Sequence, residues 1–176
     1  MPISEQLLTE FDQEMATTRK ILERVPEGLS DWRPHPKSMT LGRLAGHVSE
    51  LPGWGANSLL RSELDFAPAG APAYLPAIHT SRSETLQRFD EGVATTRAAL
   101  EKTSDADLQL PWSLKRGGQT LFSMPRGASF RSFVMNHIIH HRAQLGVFLR
   151  LNDIAIPGTY GPSADEPRFY TVRGER

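Results

Sequence analysis

Four stretches of the chain repeat apolar residues at spacings of three and four, the period of a helix with one buried face. The first runs from about Ser4 to Arg24 and carries Leu7, Leu8, Phe11, Met15, Thr18, Ile21 and Leu22, with Val25 just beyond. Ser4 is its predicted cap, and Pro26 and Gly28 its stop. The second runs from about Thr40 to Leu60, with Leu41, Leu44, Val48 and Leu51 on one face. Within it, Pro52, Gly53 and Gly55 predict a kink or an early end. The third begins at a capping box from Ser81 to Glu84 and continues to about Leu100, aligning Leu86, Phe89, Val93, Thr96 and Leu100. The fourth, from about Ser129 to Leu151, has the strongest period of all.

Between these stretches the pattern lapses. DFAPAGAPAYLPAI, residues 65–78, is a loop by its Pro, Gly and Ala content. Residues 103–128, including PWSLKRGGQTLFSMPRG, read either as a short strand pair around Gly117 and Gly118 or as a long loop across one end of the helices. After the fourth helix comes an irregular polar and aromatic tail, IAIPGTYGPSADEPRFY. The expected architecture is therefore all-α, a four-helix bundle with long connections and an irregular C-terminal tail, forming a single domain over residues 1–176. Connections of roughly 15 and 25 residues leave its topology open.

Composition narrows what such a bundle does. The chain has 176 residues and 39% hydrophobic content, enough for one substantial core. Twenty basic residues balance twenty acidic ones, so no global field gathers nucleic acid or an anionic membrane. Lys115 and Arg116 in LKRGG form too small a basic run to change that, and the glycine pairs lack the lysine of a phosphate-cradling loop. No segment approaches the roughly 18 apolar residues of a membrane helix, and the N-terminus is acidic where a signal peptide is basic. A cytoplasmic location is expected. The chain has no cysteine, which excludes disulfides, thiolate metal ligands and a cysteine nucleophile. Any thiol chemistry must use a thiol brought by a substrate.

The candidate chemistry sits in VMNHIIHHRAQL, residues 134–145, which holds three of the six histidines. On a wheel of about 100° per residue, His137 and His141 lie about 40° apart, in the direction of Phe130, Phe133, Val134, Leu145 and Phe148. Both are expected to point into the bundle. One turn, roughly 6 Å, separates them, a spacing that lets two imidazole nitrogens converge on one ion. His140 falls on the flank, as an interface or surface residue. A third ligand is needed, and His47 supplies it, lying about 60° from Leu44 and about 40° from Leu51 on the apolar side of the second helix. His35 and His79 suit surface or end positions. Three histidines leave coordination open for water or a substrate atom, as in a catalytic rather than a closed structural site.

Around this set, Glu50 is a candidate to orient an imidazole or to act as a base near bound water, against the alternative of a solvated helix carboxylate. Gln144 is a candidate for site lining or for a core polar network. Arg142 points aside on the wheel and suits a salt bridge. Trp54, Trp112, Phe122 and Tyr160 are candidates for a pocket mouth.

WRPHPKSMTLGRLAGHVSELPGW with His47, NHIIHHRAQLGVFLRL with His137 and His141, and the closing IPGTYGPSADE together resemble the DinB-like, or YfiT-like, superfamily. The resemblance implies an up-down-down-up four-helix bundle, commonly a homodimer, with a divalent ion held by three histidines at these positions. It implies zinc or nickel, with manganese also compatible, and the sequence does not select among them. By analogy with some relatives, it implies transfer of a low-molecular-weight thiol to a small electrophile. The alternatives are metal-assisted hydrolysis, for which Glu50 is the candidate base, and a metal-binding bundle without turnover.

Overall fold

The computed structural model of the chain describes residues 1–72 and 74–166. The last part of the predicted tail, residues 167–176, lies outside the described residues.

Four helical segments form the framework. Helix α1 (Ile3–Leu22) buries Leu7, Phe11, Met15, Thr18, Ile21 and Leu22, the face its period predicts. Its expected cap is replaced. Ser4 lies inside the helix, and the first free backbone N–H groups, those of Ile3 and Ser4, donate to the Asp105 carboxylate at 3.0 and 2.9 Å. A carboxylate there also meets the positive end of the helix dipole.

The second segment is broken as its Pro and Gly content predicts. Helix α2 (Leu41–Glu50) is capped by Thr40, whose hydroxyl accepts from Arg43 N–H. A tighter turn over Leu51–Gly53 then leads into α3 (Trp54–Leu60). Pro52 removes a donor at the break, and Thr96 of the third segment is inserted into the following turn, between Pro52 O and Ala56 N–H. The Thr96 hydroxyl donates to Pro52 O at 2.6 Å and accepts from Ala56 N–H at 3.1 Å.

The third segment, α4 (Arg82–Leu100), has Ser81 as its N-cap. Only half of the expected capping box forms there: Ser81 Oγ accepts from Glu84 N–H, while the Glu84 carboxylate takes the Thr80 hydroxyl. A short helix, α5 (Asp105–Gln109), carries a complete capping box between Ser104 and Asp107. The fourth segment comprises α6 (Arg126–Ser129), a π-type turn over Phe130–Met135 and α7 (Asn136–Arg150) in unbroken succession. Both α1 and α2 pack against both α4 and α7, around a core that includes Phe11, Leu44, Phe89, Phe130, Ile138 and Leu145.

The all-α expectation is corrected by a small sheet, so the fold is mostly helical rather than purely so. Strands β1 (Glu63–Asp65), β2 (Pro111–Arg116) and β3 (Gln119–Pro125) lie in that order, with β1 parallel to β2 and β2 antiparallel to β3. The β2–β3 pair is the strand alternative of the sequence reading. Its turn at Gly117 and Gly118 has φ of 58° and 81°, backbone that favours glycine. The Asp65 carboxylate accepts from both glycine N–H groups, at 3.0 and 2.7 Å, and so ties β1 to the hairpin tip. No helix among the described residues is long and apolar enough to cross a membrane.

Candidate metal centre

Helix α2 and helix α7 bring His47, His137 and His141 together: one ligand nitrogen from each lies within 4.8 Å of the others. His47 is buried, and the other two are half-buried. The closest pair is His47 Nε2 and His137 Nε2, at 3.2 Å.

The opposite ring nitrogens are each tied back. His47 Nδ1 lies 2.8 Å from Glu50 Oε1, His141 Nδ1 lies 2.8 Å from Gln144 Oε1, and His137 Nδ1 lies 3.3 Å from Phe133 O. All three partners are acceptors, a carboxylate, an amide oxygen and a backbone carbonyl. The carboxylate and the carbonyl can only accept, which assigns the hydrogen to Nδ1 of His47 and of His137, and the Gln144 amide with its oxygen toward His141 assigns the same tautomer there. In that tautomer every Nε2 is left with a lone pair, and the three lone pairs occupy one small region. No hydrogen then lies between the two nitrogens at 3.2 Å, an arrangement that could hold a cation.

Electrostatics agree. Burial pushes the His141 imidazole down to about 4, with His47, His137 and His140 adding to the effect and Gln144 opposing it. Burial also lowers His137, helped by His47 and opposed by the Phe133 carbonyl. Both rings are neutral, the form that ligates a metal, at pH 7.

Glu50 is placed to orient His47. Its carboxylate is only 11% exposed and is not a solvated helix carboxylate. It takes His47 Nδ1–H and the Arg43 guanidinium on one oxygen and the Ala77 N–H on the other. Burial pushes this carboxyl up, but His47, Tyr74, the Ala77 amide and Arg43 outweigh it and hold the group below its usual range. The Ala77 contact depends on Gly46, where a Cβ would lie 2.2 Å from Ala77 O. Gly46 thus lets the 74–79 strap rest directly on α2, where it fixes Glu50 and, through it, His47.

The core face of α7 is rotated from the expected one. Ile138, Arg142, Leu145 and Leu149 are buried, on a face centred about 70° around the helix from His141 and about 110° from His137. The π-type turn contributes, because an i→i+5 turn advances less per residue than an α-helix and returns Phe130 to the core. The histidines therefore sit at the edge of the core rather than its centre. Arg142 points aside from the histidines and makes the expected salt bridge, to Glu14 at 2.7 Å, but does so in the core, at 2% exposure.

The remaining candidates separate. Trp54 stands 5.7 Å, ring to ring, from both His47 and His137. With Trp112 and Phe133 it walls a cavity of about 620 Å³ that reaches His137. Gln144 is exposed and contributes by holding His141. Phe122 stacks on Phe133 at 5.5 Å. Tyr160 lines neither the triad nor this cavity; its hydroxyl donates to Glu14 and accepts from Arg142. His140 is exposed and His35 is exposed, as expected. His79 is not a surface residue but is 1% exposed, with Nδ1 2.7 Å from the Thr85 hydroxyl. Phe133 was missed as a site residue, although its i, i+4 spacing to His137 placed it on the same face.

Residues 10–145 match the sequence profile of the DinB superfamily. The chain is 28% identical over 162 residues to an uncharacterized protein, YrdA, of Bacillus subtilis strain 168, covering 92% of this chain and 90% of that one. Two crystal structures share the fold at a TM-score of 0.65. One is a DinB-like protein of Bacillus cereus ATCC 10987, 22% identical, covering 89% of this chain and 97% of the other. The second is the DinB-like protein YjoA of Bacillus subtilis, 17% identical, covering 88% and 96%.

Proposed function

The chain belongs to the DinB superfamily, and on that premise we propose that His47, His137 and His141 hold one divalent ion in an enzyme that joins a low-molecular-weight thiol to a small electrophile. The observation that carries this reading is the common tautomer: three Nδ1–H groups tied outward and three Nε2 lone pairs turned inward. The donor set fits the group. Two imidazole nitrogens on a tetrahedral ion at about 2.0–2.1 Å stand about 3.3 Å apart. His47 and His137 are at 3.2 Å, and all three donor nitrogens lie within 4.8 Å of one another. Imidazole ligation suits zinc or nickel, with manganese a weaker fit.

A divalent ion in that position would supply Lewis acidity, favouring the thiolate of an incoming thiol over the thiol at neutral pH. The chain's residues do the rest. Glu50 and Gln144 hold two of the rings in register, and Trp54, packed against His47 and His137, shields one side of the site from water. In the reaction the thiol loses its proton to solvent, sulfur bonds to the electrophilic carbon, and the leaving group departs with its electron pair. Hydrolysis is the weaker reading, because Glu50 is engaged behind His47 on three donors and is not free to activate water.

The proposal includes a cytoplasmic single domain with up-down-down-up helices. It is supported by the shared core and by the packing of α1 and α2 on both α4 and α7. It also includes a homodimer, for which Val147 on α7 and Leu151 just past its end, each 58% exposed, offer an apolar face. Elemental analysis of untagged protein tests the metal. About one ion per chain is expected, with strong loss in His47→Ala and His141→Ala; metal undiminished in both variants would reject the assignment. Cysteine with chlorodinitrobenzene tests the chemistry, since turnover forms a thioether and releases chloride and a proton. Tight metal binding without turnover of this or any other thiol–electrophile pair would favour a non-catalytic metal protein.

A further inference from the structure

The cavity beside the triad has a composition that selects its occupant. It lies between α3, the sheet and the π-type turn, and its volume of about 620 Å³ is in the range of small-molecule sites. Trp54, Phe66, Trp112, Leu114 and Phe133 line it, and His137 closes one end. The aromatic walls are held in place. Trp112 Nε1–H donates to Asn57 Oδ1 at 3.1 Å, which spends the polar edge of the indole. Phe133 meets Trp112 at 5.6 Å and stacks on Phe122 at 5.5 Å with their planes 10° apart.

Charge is as selective as shape. Among the described residues, no lysine or arginine lines the cavity. The nearby cations are engaged: Lys115 pairs with Glu63 at 2.6 Å, and Arg116 lies over the Phe66 ring at 6.0 Å. One carboxylate, Asp65, is in the wall, held by the N–H groups of Ala67, Gly117 and Gly118. An anionic group lodged among the aromatic walls, away from the His137 end, would lose its water, find no lysine or arginine among the described residues and face Asp65. A neutral flat molecule would lose little and gain aromatic contact.

We infer that this cavity is the electrophile subsite and that it takes neutral aromatic molecules while rejecting anionic ones. The word electrophile rests on the proposed function; the selectivity for a neutral aromatic does not. It places the reacting end of the molecule at His137, next to the nitrogen donors, with its apolar body against Trp112 and Phe133.

Calorimetric titration of the full chain with 2-naphthol and with naphthalene-2-sulfonate tests this, in metal-loaded protein and after chelator treatment. The expected result is saturable binding of naphthol, at least tenfold weaker binding of the sulfonate, and naphthol affinity within about threefold when metal is removed. A failed metal reading and a failed cavity reading are thereby separated. Leu114→Trp fills the cavity from a partly exposed strand position and is expected to weaken naphthol at least tenfold, as is Phe133→Ala. Circular dichroism establishes that each variant is folded, and Leu114→Trp stands alone should Phe133→Ala unfold. Absent naphthol binding, equal affinity for the sulfonate, or unchanged naphthol affinity in folded Leu114→Trp would overturn the inference.

Discussion

Glu50→Gln alters the triad without touching a ligand. In the wild type both carboxylate oxygens accept, one from His47 Nδ1–H at 2.8 Å and Arg43 at 3.2 Å, the other from Ala77 N–H at 3.2 Å. An amide offers one acceptor and one donor. If its oxygen faces His47, its NH₂ meets the Ala77 N–H, and the strap over Gly46 loses its anchor. If its oxygen faces Ala77, the NH₂ meets His47 Nδ1, which must then accept; the hydrogen moves to Nε2, and the ligand is lost. Either way the negative charge that raises imidazole basicity disappears. Partners of this kind are worth about 10–100-fold in metal affinity, or about 1.4–2.8 kcal/mol. Competition for zinc against a chromophoric chelator at neutral pH measures it. Gln144→Ala is the internal comparison: Gln144 is exposed, so water replaces it at His141, and the loss should stay below tenfold. The reasoning fails if folded Glu50→Gln binds zinc within twofold of wild type, or if Gln144→Ala costs as much.

Three further outcomes are expected. His140→Ala should retain nearly all bound metal while His137→Ala loses most of it, because His140 is exposed and outside the triad; equal loss in elemental analysis would contradict the geometry. Metal-free protein should lose thermal stability as pH falls from about 6.5 toward 4. Folded His137 and His141 have lowered pKa values, so the unfolded chain binds more protons in that window, and their stabilising contribution is complete only above it. His141→Gln should flatten part of that slope in melting curves taken across the range. Arg142→Leu should cost about 3–5 kcal/mol in chemical denaturation, since it strands the Glu14 carboxylate in the core, and Glu14→Leu with Arg142→Leu should recover most of the loss.

The helical framework was legible because its signals are local. Leu7, Phe11, Met15 and Leu22 state the buried face of α1, and Pro52 and Gly53 state where the second segment breaks. What escaped was settled across space. The cap of α1 is Asp105, a hundred residues away in sequence, and neither partner signals the other. The hairpin announces itself through Gly117 and Gly118, but β1 is three residues long, too short for alternation to show, and exists because β2 offers it a parallel edge. His79 is buried because the strap carrying it crosses α2, where its N–H donates to Gly42 O at 2.8 Å.

The identity of the triad was readable from residue type and spacing, yet its placement was not, and the difference bears on function. A wheel weighted by hydrophobicity moves the core face away from Arg142, because a lone arginine is costly to bury. It cannot see that Glu14 and Thr18 on α1 and the Tyr160 hydroxyl will satisfy that guanidinium. Once Arg142 belongs to the core, His137 and His141 must turn to its edge. There they remain shielded enough to stay neutral, and His137 opens on the aromatic cavity. Three imidazoles at the centre of the bundle could hold an ion but would leave no path for a second molecule. The buried Glu14–Arg142 pair is, on this view, what rotates α7 so that the donor set faces both the ion and an exchangeable ligand. If so, the Glu14→Leu, Arg142→Leu double variant should fold yet bind zinc more weakly than wild type; unchanged zinc affinity would show that the histidines hold their direction without it.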